Sequence, residues 1–177
     1  MNLFHKRSTL YFLLSGTITM IFIMIITGRP LTTANTPSGI INLELACTHT
    51  KVQVVLSSWN NDIIAAAKIN TYFDFLFLVF YALFLYSCCI QLAKVLPQEK
   101  SISKWLNKFA IASVIAGFLD ILENTGMLIS LAGNGSERIA LFTATFSLIK
   151  WLLVIFVLLL IIVGFMVKLN SSRKQEG

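Results

Sequence analysis

WLNKFAIASVIAGFLDILENTGMLISL (residues 105–131) is the stretch whose reading decides the fold. It is long enough to cross a bilayer core, which takes about 20 predominantly apolar residues in helical form. Yet it carries Asp120, Glu123 and Asn124 inside the apolar run. These three stand at i, i+3 and i+4 and so share one helix face. Ser113, Ala116, Gly117 and Met127 continue the same stripe. Small and polar residues on one stripe are the material of helix–helix contact within membranes. The stretch therefore predicts a membrane helix whose polar face looks into a bundle, ended by Gly133-Asn134-Gly135.

The rest of the chain agrees. Of its 177 residues 56% are hydrophobic and 12% charged, against about 25% charged in soluble domains. Three more stretches have the length and composition of spans: about 9–27, 71–96 (stopped by Pro97) and 138–167. The first follows the basic start His5-Lys6-Arg7, and no small-residue cleavage site precedes Arg29-Pro30, so it reads as retained. The expected fold is an all-α integral membrane four-helix bundle forming one domain over residues 1–177, with a tail at 168–177.

Orientation follows from Lys and Arg near the span ends. Lys6, Arg7, Lys94, Lys100, Lys104, Lys108, Lys168, Arg173 and Lys174 fall on one side. Arg29, Lys51, Lys68 and Arg138 fall on the other. Nine against four places both termini in the cytoplasm. The formal charge of +6 sits mostly beside the spans, so the expected partners are the bilayer and anionic lipid head groups at the cytoplasmic face, not nucleic acid. A second copy or another membrane protein is a further partner class, offered by the lipid-facing run 152–163 and the 14 phenylalanines.

Between the first two spans, Thr36-Pro37 has the form of a helix start. Ile41, Leu45, Val52, Val55, Leu56 and Trp59 then recur at helical spacing, predicting an extracytoplasmic amphipathic helix over about 37–59. Glu44, His49 and Lys51 read as its solvated face. Asp62 is expected to cap a lead-in to the second span.

The chemistry concentrates on Asp74, Asp120, Glu123 and Lys150. Charged groups at mid-membrane cost about 2.5–3.5 kcal/mol each on insertion scales, so they face the interior and find partners. Asp74, Asp120 and Lys150 each lie twelve residues from the expected outer helix ends at Asp62, Ala132 and Arg138, roughly 18 Å along an upright helix. Asn70, Asp74, Phe77 and Tyr81 share a face of the second span, and Thr143, Ser147 and Lys150 share one of the fourth. Ser15, Gly16 and Thr19 mark the inward side of the first. The candidate ligand- or ion-binding set is Asp74, Asp120, Glu123, Asn124, Lys150 and Asn70. Three carboxylates against one ammonium leave negative charge in a low-dielectric interior, which calls for a shared proton, a bound cation or water.

Several chemistries lack their residues. Zinc and haem sites draw on His or Cys, but His5 and His49 lie outside the spans and the three cysteines form no C-x-x-C. Asp120 and Glu123 could offer oxygen ligands to a hard cation. No nucleotide-binding or nucleophile-elbow motif is present, and no cofactor is recognisable. Three readings stand. The cluster binds a cation, a proton or a polar head group; or it is a structural salt-bridge network in an accessory or assembly subunit; or it serves an intramembrane enzyme acting on a lipid or isoprenoid, with a carboxyl as general acid or base and Lys150 as charge stabiliser.

Leu43-Glu44-Leu45-Ala46, Trp59, Asp74-x-x-Phe77, Asp120-x-x-Glu123-Asn124 and Lys150-Trp151 together resemble a group of small four-span bacterial membrane proteins. The resemblance covers about Thr36 to Trp151. It implies a bacterial inner membrane and carries no activity with it.

Overall fold

The structure is a computed structural model that describes residue 4 and residues 6–97 and 101–173. His5, Lys100 and Lys174 of the charge pattern lie outside the described residues, as does the side chain of Arg173. Among the described residues the regular structure is all helical. The elements are α1 (Arg7–Gly28), a 3-10 turn (Arg29–Leu31), α2 (Ile41–Glu44), α3 (His49–Ser57), α4 (Asn61–Val95), α5 (Ser101–Phe109), α6 (Ile111–Leu131) and α7 (Glu137–Arg173).

Four helices are long and apolar enough to cross a membrane: α1 with its 3-10 extension, α4, α5 together with α6, and α7. At 1.5 Å per residue, the 35 residues of α4 span about 52 Å. That exceeds the roughly 30 Å of a hydrocarbon core, so α4 projects beyond it. Asn60, not Asp62, caps α4: its side-chain oxygen accepts from the Ile63 N–H at 2.9 Å. The α5–α6 pair reads as one span in sequence but tightens at Ala110. There the Ala110 carbonyl accepts both the Ser113 N–H at 3.2 Å and the Ser113 hydroxyl at 2.8 Å, a side-chain competition that distorts the regular ladder.

α4 is the hub, packed against α1, α6, α5 and α7, and α6 packs along α7. The inward stripe of α6 is as the sequence predicts: Ser113, Ala116, Gly117, Asp120, Glu123, Asn124 and Met127 are all buried. On α1 the inward side differs from the expectation. Leu13, Thr17 and Met20 are buried, whereas Ser15 and Thr19 face outward. Ser15 can do so because its hydroxyl donates to the Phe12 carbonyl at 2.9 Å, so its polarity is satisfied within the helix. Gly16 does lie at a contact, with the Phe80 ring of α4 against it.

The insert between α1 and α4 is not one helix over 37–59. It breaks between α2 and α3, and Thr48 starts α3 by accepting from the Lys51 N–H at 3.3 Å. The break resets the helical phase, so Leu43 and Glu44 turn inward while Ile41 and Leu45 are each 40% exposed. Thr36 does not cap a helix. Its hydroxyl donates to the Leu31 carbonyl at 2.8 Å and accepts from the Trp59 indole N–H at 3.0 Å, riveting the two ends of the insert together. Leu31, Leu43, Val52, Val55 and Trp59 then pack on Ala67, Met127, Leu131 and Ala140, so the insert plugs one end of the bundle.

Gly126 of α6 sits directly on Thr143 of α7, and a Cβ there would collide with the Thr143 hydroxyl. Gly126→Ala is therefore expected to cost about 1–3 kcal/mol by overpacking, read as a lowered Tm in detergent. Thr143→Ala in the same molecule should recover most of the loss, and an unchanged Tm in the single variant would contradict this packing.

Candidate functional site

Lys150 arrives from α7 among the carboxylates of α6. Its ammonium donates to Asp120 Oδ1 at 3.0 Å and stands 2.6 Å from Glu123 Oε2. All three side chains are at least nine-tenths buried. The other Asp120 oxygen accepts from the Tyr81 hydroxyl of α4 at 2.8 Å. Asp74, about two turns before Tyr81 on α4, accepts from the Asn124 amide of α6 at 2.9 Å through Oδ2. Five of the six sequence candidates thus meet in one buried cluster of two bonded sets, Lys150 with Asp120 and Glu123, and Asp74 with Asn124, spanning α4, α6 and α7. The equal depths counted along the helices are what allow this.

Asn70, the sixth, is drawn elsewhere. Its amide donates to Thr27 Oγ1 at 2.7 Å and to the Met24 carbonyl at 3.1 Å, tying α4 to α1. In exchange the site gains Glu44, which the sequence reading assigned to a solvated surface. Glu44 is 6% exposed and accepts from the Ser147 hydroxyl of α7 at 3.3 Å. Its charge acts on Lys150 together with those of Asp120 and Glu123. No periodicity points to it: a carboxylate in a short helix of a plug has no depth that sequence can assign. Tyr81, on the face shared with Asp74, could have been added from spacing alone. His49 and Lys51 stay at the plug, where the His49 N–H donates to Glu137 at 2.7 Å.

Beside this network lies a cavity of about 820 Å³. Glu44, Asp74, Asp120 and Lys150 reach its wall, roofed by the plug residues Gly39 to Ile41. The remaining wall is largely apolar: Ile21, Met24 and Ile25 of α1, Phe77, Phe84 and Leu85 of α4, and Trp151, Val154 and Leu158 of α7. α1 packs on α4 and stands off from α7. Ile21, Ile25, Trp151 and Leu158 line the cavity and are also 41–52% exposed. The cavity therefore opens sideways between α1 and α7, toward what would be lipid. A volume of this size and an apolar wall with a few convergent polar groups are the usual properties of a small-molecule site.

The Lys150 ammonium occupies the place between Asp120 and Glu123 that a hard cation would take. Among the described residues, no three His, Cys, Asp or Glu side chains converge as a metal-binding group. No protein-family model, curated protein or solved structure matches this chain.

Removing Lys150 strands two buried carboxylates. Lys150→Met should cost about 3–5 kcal/mol, the scale for breaking a buried pair from one side, measured by unfolding in detergent. Adding Asp120→Asn and Glu123→Gln to it should restore much of that loss. A single Lys150→Met variant as stable as the parent would contradict the pairing.

Proposed function

We propose that this protein binds an amphiphile from within the bilayer, holding its polar head group at the Glu44, Asp74, Asp120 and Lys150 wall and its apolar part in the cleft between α1 and α7. The observation that carries the reading is the coincidence of two features. Buried ionisable groups lie at one end of an apolar cavity, and that cavity opens toward lipid and not along a pore. A purely structural salt-bridge network explains Lys150, Asp120 and Glu123 but gives no reason for the adjoining space. Proton or ion conduction would favour a polar path through the bundle, whereas the tail half of this cavity is walled by Phe84, Leu85, Val154 and Leu158.

We place the plug on the extracytoplasmic side and both termini in the cytoplasm. Lys6, Arg7, Lys94, Lys104, Lys108 and Lys168 gather at the bundle end away from the plug, which the positive-inside rule assigns to the cytoplasm. α5 carries Lys104 and Lys108 with Trp105 half-exposed over a buried Leu106, the form of a helix lying at an anionic lipid surface. The resemblance to four-span bacterial proteins supports an inner-membrane setting. An enzymatic use of the same site is the second reading, supported by Asp74 and Lys150 both facing an apolar cavity where proton transfer to a lipid or isoprenoid would be shielded from water.

The test is retention of ligand. Native mass spectrometry of protein released from mild detergent should show a fraction carrying one tightly held amphiphile. Val154→Trp or Ile21→Trp, each filling the cleft from one side, should abolish that adduct without loss of the fold. Bare protein in every preparation, or an adduct indifferent to both substitutions, would overturn the proposal.

A further inference from the structure

The polar groups at the closed end of the cavity do not balance. Among the described residues, Glu44, Asp74 and Asp120 on the wall and Glu123 behind it gather about one ammonium, Lys150. That ammonium is already committed to Asp120 and Glu123 at 3.0 and 2.6 Å. Among the described residues, the hydrogen-bond donor to Asp74 is the neutral Asn124 amide and that to Glu44 is the neutral Ser147 hydroxyl. Arg29, the other cationic wall residue, is exposed at the rim where solvent or lipid head groups reach it.

The hydrogen-bond balance leans the same way. Among the described residues, the acceptors of this cluster left without a donor are Glu123 Oε1 and Asn124 Oδ1, both behind the cavity wall, while Glu123 Oε2 has the Lys150 ammonium at 2.6 Å. Glu123 and Asn124 are fully buried and point at Lys150 and Asp74. The cavity wall is thus short of positive charge, and carboxylates buried without a counter-charge are costly. An anionic head group would worsen that deficit. A cationic one answers it.

The walls suit a cation in a further respect. Phe77 and Tyr81 pack with ring centroids 5.2 Å apart on the α4 wall that carries Asp74, while the Trp151 ring of α7 is already engaged by the Lys150 ammonium at 5.4 Å. Aromatic faces next to a carboxylate are favourable surroundings for an organic ammonium.

We propose that the head group bound here is an organic ammonium carried on an apolar chain, seated on Asp74 and Glu44. The assignment rests on the amphiphile-binding reading above and narrows its ligand class. Three probes sharing one dodecyl tail separate the cases: a dodecylammonium salt, dodecyl sulfate and dodecanol. Each is titrated at low mole fraction into neutral-detergent micelles holding the full chain. Binding is read from thermal stabilisation and from adduct mass.

The ammonium should bind more tightly than either companion by about tenfold or more, equivalent to 1.4 kcal/mol. Asp74→Asn and Glu44→Gln should each shrink that preference, and Asn at 74 can still accept from Asn124, so the fold is kept. Val154→Trp should weaken all three probes. Equal or tighter binding of the sulfate or the alcohol, still blocked by Val154→Trp, overturns the ammonium assignment and leaves the pocket standing. An ammonium preference unchanged in both charge variants also overturns it. No binding of any probe overturns the assignment and the amphiphile reading together.

Discussion

A lysine held between two carboxylates inside an apolar bundle is the constraint on which the rest depends. Lys150 joins α7 to α6 through Asp120 and Glu123, and Asp120 passes the connection to α4 through Tyr81. Each charge would be costly alone in this setting, and each is tolerable only while the others hold position. The helices must therefore meet at one depth and one rotation. Small residues such as Gly126 and Ala116 let the backbones come close enough for that to happen.

The fourth span member, α1, takes no part in that network. Its polar ties are to Asn70, and through its packing on α4 it forms one jamb of a cleft whose other jamb is α7. The cavity is the consequence. Three helices are locked by charge, the fourth is held on one side only, and the plug closes the end above them. Glu44 is the plug's contribution to the site. It is held by Ser147 of α7, so roof and wall are linked by a polar contact next to the opening.

Much of this was legible in the residues. The four apolar stretches, the polar stripe of α6 and the shared depth of Asp74, Asp120 and Lys150 follow from helical geometry alone. Where the reading missed, the physics was non-local. Ser15 and Thr19 look inward by polarity yet are exposed, and the Ser15 hydroxyl satisfies itself on the Phe12 carbonyl of its own helix. The insert has apolar spacing along its length, yet tertiary packing splits it and turns Glu44 inward in place of Leu45. The cavity itself has no sequence signature, because it arises where α1 packs on α4 and makes little contact with α7.

The account is tested most directly by experimental density in the cleft between α1 and α7, from protein purified with its own lipids and no added ligand. It predicts an elongated feature whose polar end lies beside Asp74 and Glu44 under the plug and whose tail runs past Val154 and Leu158. A structure in which α1 closes against α7, with the cavity gone and Lys150, Asp120 and Glu123 still paired, would contradict it and leave the buried charges as a fastening alone.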